Sequence, residues 1–227
     1  MNYSQHVNIE LEFLRAADDG DMETLGRHYA VLAQHKAQIV LEAGALRAAE
    51  KGQLECLNFL LKHLDLHDRC LETAAGANQQ MCVAALLPHS SEQGIVRAAN
   101  VAIVIGRLEC LKMVCEHVDL TQHGGLLRFA AFHNNEKAVA FLLAHGDPKE
   151  GNSYALRCAV RNKNQHLFDL LYPLSNPIEA LRALNEDEIE HPWVEMLAER
   201  IEQDRLRGTL LNATQSPQRT NAVARKI

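Results

Sequence analysis

This chain has little of what builds sheets, cross-links or membrane anchors. Aromatic residues make up 5% of it, and there is a single Trp. Runs rich in Val, Ile, Thr and aromatics, the raw material of strands, are few. With 12 Gly and 6 Pro in 227 residues, the turn signals of an all-β chain are missing too. No window approaches the roughly 18 apolar residues of a membrane-spanning helix. The opening stretch, MNYSQHVNIELEFL, has neither the basic start nor the apolar core of a secretory signal. There is no basic excess: the net charge is −6, which argues against nucleic acid as the main partner. Gly-rich phosphate loop, nucleophile elbow, HExxH and kinase signatures are all absent. The expectation is therefore no cofactor, no metal, no catalysis and no membrane contact.

What the chain does have is Ala and Leu, strong helix formers, within an apolar content of 47%. That composition predicts an all-α protein. Six cysteines are present, Cys56, Cys70, Cys82, Cys110, Cys115 and Cys158, with no CxxC pair among them. Cys56, Cys82, Cys110 and Cys115 sit inside apolar helical runs, where Cys acts as a small hydrophobe. They read as reduced core thiols of a cytoplasmic protein rather than a disulfide framework.

A phrase recurs. RAAEKGQLECLNFLLKHLDL starts at Arg47, and RAANVAIVIGRLECLKMVCEHVDL starts at Arg97. Its anchor, a small pair before a polar or glycine turn and a longer apolar helix, also occurs elsewhere. The full set is Ala16-Ala17, Ala48-Ala49, Ala74-Ala75, Ala98-Ala99, Ala130-Ala131 and Ala159-Val160, in steps of 32, 26, 24, 32 and 29 residues. In the unit from Gly44, ALRAAEKG predicts a short helix closed by Gly52. LECLNFLLKHL predicts a second, with Leu54, Leu57, Leu60, Leu61 and Leu64 on one face. Neither helix can bury its apolar face alone, and stacking such pairs solves that problem.

ALRAAEKGQLECLNFLLKH, LLRFAAFHNNEKAVAFLLAHGD and ALRCAVRNKNQHLFDLLY resemble ankyrin repeats, over roughly residues 11 to 175. FLLAHGD, Phe141 to Asp147, matches that family's pattern best. The Thr-Pro-Leu-His opening of the family is missing throughout, and the steps of 24 and 26 are too short for its full β-turn finger. The expected fold is an ankyrin-like helix-pair solenoid of five to six irregular repeats over residues 1–175. A C-terminal helical cap follows over 176–212, then a disordered tail over 213–227. Other helix-pair solenoids are the alternative architecture. In the cap, Asn176 and Pro177 fit N-cap and first helical position. PWVEMLAERIEQDRLRGTLL predicts a longer helix with Val194, Leu197, Ile201 and Leu206 inward.

Between Ala-Ala and Leu-Glu-Cys-Leu the first copy of the phrase has EKGQ and the second NVAIVIGR. Four extra residues are about one helical turn. They predict a first helix longer by a turn, or a bulged turn, carrying Val101, Ile103, Val104 and Ile105. Two readings stand open: the extra turn fills space beside the degenerate unit AAGANQQMCVAALLPHSS, or it is exposed and marks a contact site.

Arginines form a second pattern. Arg15, Arg47 and Arg97 directly precede the small pair, and Arg128 and Arg157 stand one residue earlier; Glu72 interrupts the series. Structurally they would bond neighbouring repeats or solvate the face. Functionally they would make a shallow basic groove for an acidic partner. Of the 12 histidines, His63, His117 and His145 share one slot at the end of a second helix, which suits a helix-end interaction. His63 and His67 have metal-ligand spacing but no third ligand nearby. Glu186, Asp187, Glu188 and Glu190 read as solvated charge before a helix.

The ankyrin resemblance implies a non-catalytic, monomeric protein-binding module. Its candidate contact residues are Arg47, Arg97, Arg128, Arg157, Ile103 and Ile105, and its partner is a protein with an acidic surface. An adaptor, an effector and an inhibitor masking a toxin are settings of that kind. The rivals are an enzyme that uses the array as a substrate platform and a structural subunit that oligomerises through the apolar insert.

Overall fold

A computed structural model describes residues 3–120, 122–184 and 192–215. Among them every regular element is helical, as the composition predicts, and the chain divides into two compact units, Met1–Asp147 and Pro148–Ile227.

The first unit is built from five helix pairs. They are α1 (Tyr3–Asp19) with α2 (Met22–Gln34), α3 (Gln38–Lys51) with α4 (Leu54–Leu61), and α5 (His67–Gly76) with α6 (Gln80–Leu86). α7 (Glu92–Ile105) with α8 (Leu108–Cys115) and α9 (Gly125–Phe132) with α10 (Glu136–Leu142) complete the set. Within each pair the helices pack on each other. Each first helix also packs on the next first helix, and each second helix on the next second helix. The result is two rows of helices with one core between them. The segments joining one pair to the next, 35–37, 62–66, 87–91, 116–124 and 143–149, hold no strand among the described residues.

One turn recurs at all five pairs and once more in the second unit. The backbone N–H groups of Asp21, Gln53, Gln79, Arg107, Asn135 and Asn164 donate to the carbonyls of Ala16, Ala48, Ala74, Ala102, Ala130 and Ala159, at 2.7–3.0 Å. The residue before each donor is left-handed: Gly20, Gly52, Asn78, Gly106, Asn134 and Lys163, with φ between 56° and 80°. This is the Schellman closure, which satisfies a carbonyl that the helix end would otherwise orphan. The alanine that accepts the bond is buried in all six copies. A larger side chain there would hold neighbouring helices apart.

The closure corrects the expected insertion. α3 and α7 are both 14 residues long and both end on a left-handed glycine. The structural counterparts of Ala48 and Ala49 are therefore Ala102 and Ile103, not Ala98 and Ala99. No extra turn exists: Arg-Ala-Ala simply lies one turn earlier in α7 than in α3. Counted between left-handed residues, the steps are 32, 26, 28, 28 and 29. The irregular 24 and 32 came from pairing the wrong alanines.

The core follows the small-pair pattern. Ala45, Ala48 and Ala49 of α3 and Ala74 and Ala75 of α5 are fully buried between the rows. Gly44 lets the Phe13 ring of α1 approach α3 closely, where a Cβ would collide with it. All six cysteines are buried and free. Burial pushes the Cys70 and Cys115 thiols up to about 12, so they are neutral packing groups rather than nucleophiles.

The second unit contains α11 (Glu150–Arg161), α12 (Gln165–Leu171), a 3-10 turn (Tyr172–Leu174), α13 (Pro177–Arg182) and α14 (Pro192–Gln215). α11 opens with three left-handed residues, Gly151, Asn152 and Ser153. The two non-glycine residues there cost about 1–2 kcal/mol each. Ser153 is completely buried, and its hydroxyl accepts the Asn176 N–H at 2.8 Å, fixing the start of α13. Asn176 caps α13 and Pro177 is its first residue, as the sequence predicts. On α14, Val194 and Leu197 are buried and Ile201 half-buried, but Leu206 is exposed, against expectation. α14 runs to Gln215, three residues into the expected tail. The remainder of the tail and the acidic stretch Glu186 to Glu190 lie outside the described residues.

Candidate interaction face of the first helices

The arginines do not form one ladder. Counted from the left-handed residue that ends each first helix, Arg15 and Arg47 stand five residues back, Arg128 and Arg157 six, and Arg97 nine. Arg97 is thus about one turn, some 6 Å, away from the position of Arg47 along its helix. Its counterpart is Arg69 of α5, which sequence reading passed over because no alanine pair follows it directly.

Arg47, Arg69, Arg97, Arg128 and Arg157 each have interactions within the chain. Arg47 of α3 grips Asp18 of α1 with two bonds, Nε to Oδ1 at 2.8 Å and Nη2 to Oδ2. Arg69 reaches back to Glu42 at 3.4 Å, and Arg97 to Asp68 at 3.3 Å. These two pairs are equivalent, since Glu42 and Asp68 both stand ten residues before their own left-handed residue. Arg97 also holds Glu72 at 2.6 Å, so the residue that interrupts the arginine series is its acceptor. Just before α9, the His123 Nε2 lies 2.9 Å from Glu92 of α7. Arg128 is half-buried and has interactions of its own. In the second unit, Arg157 donates to the carbonyls of Ala183 and Gly151 at 2.8 and 3.3 Å and stacks over Tyr154. It staples the left-handed opening of α11 to the end of α13.

Asp68 joins two residues of the next helix pair. It accepts from the Ser91 N–H at 2.8 Å, from the Ser91 hydroxyl at 2.5 Å and from Arg97. Burial disfavours its charged form. The Ser91 bonds and the Arg97 charge outweigh burial and hold its carboxyl below the ordinary value. Ser91 in turn caps α7 through Gly94 N–H, so one carboxylate locks the entry of the next repeat.

A second ladder runs through the turns, and the sequence does not announce it. After four of the left-handed positions, the next residue sends its side chain back to a carbonyl in the last turn of the preceding first helix. Gln53 reaches Asp18, Gln79 reaches Glu50, Arg107 reaches Gly76 and Asn135 reaches Ile103, at 2.7–3.1 Å. Three side-chain types perform one task, which is why no repeated letter marks it. A polar residue directly before each second helix was the available signal.

The apolar residues once assigned to the insertion divide by face. Ile103 is 1% exposed, whereas Val104 and Ile105 are 52% and 50% exposed. Val101 and Ile105 lean over Gly76 of α5, where a Cβ would meet them at 3.0 and 3.3 Å. Val104 stands two residues before its left-handed residue, and so does Phe132 of α9, which is 47% exposed. Asp18, Glu50 and Gly76 hold that position in the earlier repeats. α7 and α9 are packed neighbours, and the Asn135 bond ties their C-terminal ends together. Val104, Ile105 and Phe132 therefore form an apolar stripe where the earlier repeats are polar or bare.

Other expected features resolve locally. His63 stacks on Tyr29 at 5.0 Å, while His67 faces His89, so the two histidines diverge. The His117 ring bonds the Met113 carbonyl at its helix end. Among the described residues no group of three or more His, Cys, Asp or Glu is placed to hold a metal ion. No described helix is long and apolar enough to cross a membrane. An open depression of about 460 Å³ lies beside Glu92, Gln93, Val96, Arg97 and His123. Compared with known proteins, the chain matches no family model, no curated protein and no solved structure.

Proposed function

We propose that this chain is a non-catalytic protein-binding module of the ankyrin-like kind. Its partner sits across the C-terminal ends of the first helices α7 and α9. The observation that carries this reading is the exposed stripe of Val104, Ile105 and Phe132 on an array whose other first-helix ends carry Asp18, Glu50 and Gly76. Exposed apolar side chains in register on adjacent helices make a compact anchor, the usual core of a protein interface. Arg47 and Arg97 keep 44% and 48% of their side chains exposed while bonded to acids. In this reading they serve as a polar rim that can share its hydrogen bonds with a partner carboxylate. The free buried thiols suit a reducing, cytoplasmic setting.

The test compares capture from a cell extract by the intact chain with capture by the double variant Val104→Asp/Phe132→Asp. Both positions are exposed, so helix content by circular dichroism should be unchanged. Proteins retained by the intact chain and lost by the variant would support the reading. Identical captured sets would overturn it. Sedimentation of the chain alone at several concentrations separates a foreign partner from a second copy of this chain.

A further inference from the structure

We infer that the second unit carries a cation-recognition pocket, independent of the interaction face on the first, that takes a guanidinium or alkylammonium group. The cavity, about 410 Å³, is lined by Phe168, Asp169, Tyr172, Pro173, Arg200 and Asp204. Its floor is aromatic: the rings of Phe168 and Tyr172 lie 5.3 Å apart, and Phe168 is 3% exposed. Two carboxylates stand on its walls. Asp204 accepts the Tyr172 hydroxyl at 2.9 Å, which fixes the carboxylate beside the ring, and Asp169 is held by Gln165 at 3.0 Å. Among the described residues no basic side chain forms an ion pair with either.

An aromatic face flanked by carboxylates is the environment that attracts an organic cation, through the ring quadrupole and through charge. The chain itself shows what the ring accepts. The Arg200 guanidinium lies over Tyr172, 5.5 Å from the ring centroid. Arg200 is exposed on α14, so it can swing into solvent and vacate the ring. It acts as an internal stand-in that an incoming cation displaces. The neutral amide Gln165 orients Asp169 without cancelling its charge.

The same cation could come from a free amine or from an arginine in a partner's chain. The experiment uses the full-length chain with ¹³C-labelled tyrosine, the Tyr172 signal being assigned with Tyr172→Phe. Free arginine, the peptide Gly-Arg-Gly and its neutral counterpart Gly-citrulline-Gly are titrated in turn. Both cationic probes should shift Tyr172 saturably, and the citrulline peptide should not. The tighter of the two cationic probes identifies the source. Asp169→Asn and Asp204→Asn should each weaken binding about threefold, the scale of an exposed ion pair. Arg200→Gln should strengthen it about threefold, because the competitor is removed. Equal shifts from citrulline and arginine peptides would overturn the proposal. So would undiminished binding by the Asp169→Asn/Asp204→Asn double variant, whose near-isosteric changes leave the cavity's shape intact.

Discussion

The backbone N–H of Arg107 closes on the carbonyl of Ala102 at 2.7 Å, and this bond fixes which residues of the fourth repeat correspond to those of the others. It makes Ile103, not Ala99, the counterpart of Ala49, and it leaves Val104 and Ile105 at the exposed end of α7.

That register separates two isoleucines two residues apart. Ile103→Ala should cost about 2–4 kcal/mol by opening a cavity between the rows. Ile105→Ser should cost well under that, since half of the side chain already faces water. Urea denaturation of the two variants checks the difference. Equal losses would refute the assigned faces.

Lys163 holds a left-handed conformation at φ 56°, in the position that Gly52 and Gly106 fill in their repeats. A lysine there is strained by its Cβ. Lys163→Gly should stabilise the second unit by about 0.5–1 kcal/mol, despite the entropy that glycine loses on folding. Gly106→Ala should destabilise by a similar amount, although open space surrounds that position. Thermal melts of both variants, moving in opposite directions, are the expected result.

Asn135 both caps α10, through the Ala138 N–H, and donates to the Ile103 carbonyl. Gln79 makes the inter-repeat bond but no cap bond. Asn135→Ala should therefore lose about 1–2 kcal/mol, and Gln79→Ala about half that. Native-state hydrogen exchange at the Ile103 to Asn135 junction would localise the first loss.

Asp68 is charged more readily in the folded chain than in the unfolded one, so it stabilises the fold at neutral pH. That contribution is complete above the unfolded carboxyl value, roughly 3.9. It disappears as the pH falls through the lower folded value. Stability measured between pH 6 and pH 2 should fall less steeply for Asp68→Asn than for the intact chain. Parallel curves would show that the Ser91 and Arg97 bonds do not favour the charged form.

Six buried, free thiols should resist a thiol reagent in the native chain and react together after denaturation. Labelling should track global unfolding, with Cys70 and Cys115 no faster than the rest. Rapid native labelling of any one cysteine would place it outside the core.

The sequence alone determined the helical class, the pairing of a short helix with a following one, and the caps at Asn176 and Gly52. Those are local matters, set by side-chain propensity, period and turn chemistry within a few residues. It also marked the small pairs, because a close approach of helices tolerates little beyond alanine. Tertiary structure decided the register between repeats. The letters Arg-Ala-Ala recur one turn out of phase, and a helix is so regular that a one-turn shift keeps the same residues on the same face. The Schellman bond at Gly106, together with the packing of α7 against α5 and α9, distinguishes the two alignments. The same holds for the charges. Arg69 and Arg97 are equivalent because Glu42 and Asp68 stand at matching heights on preceding helices, more than twenty residues back in the chain. The stripe of Val104, Ile105 and Phe132 likewise exists only once α7 and α9 lie side by side, since the residues that compose it are separated by an entire second helix.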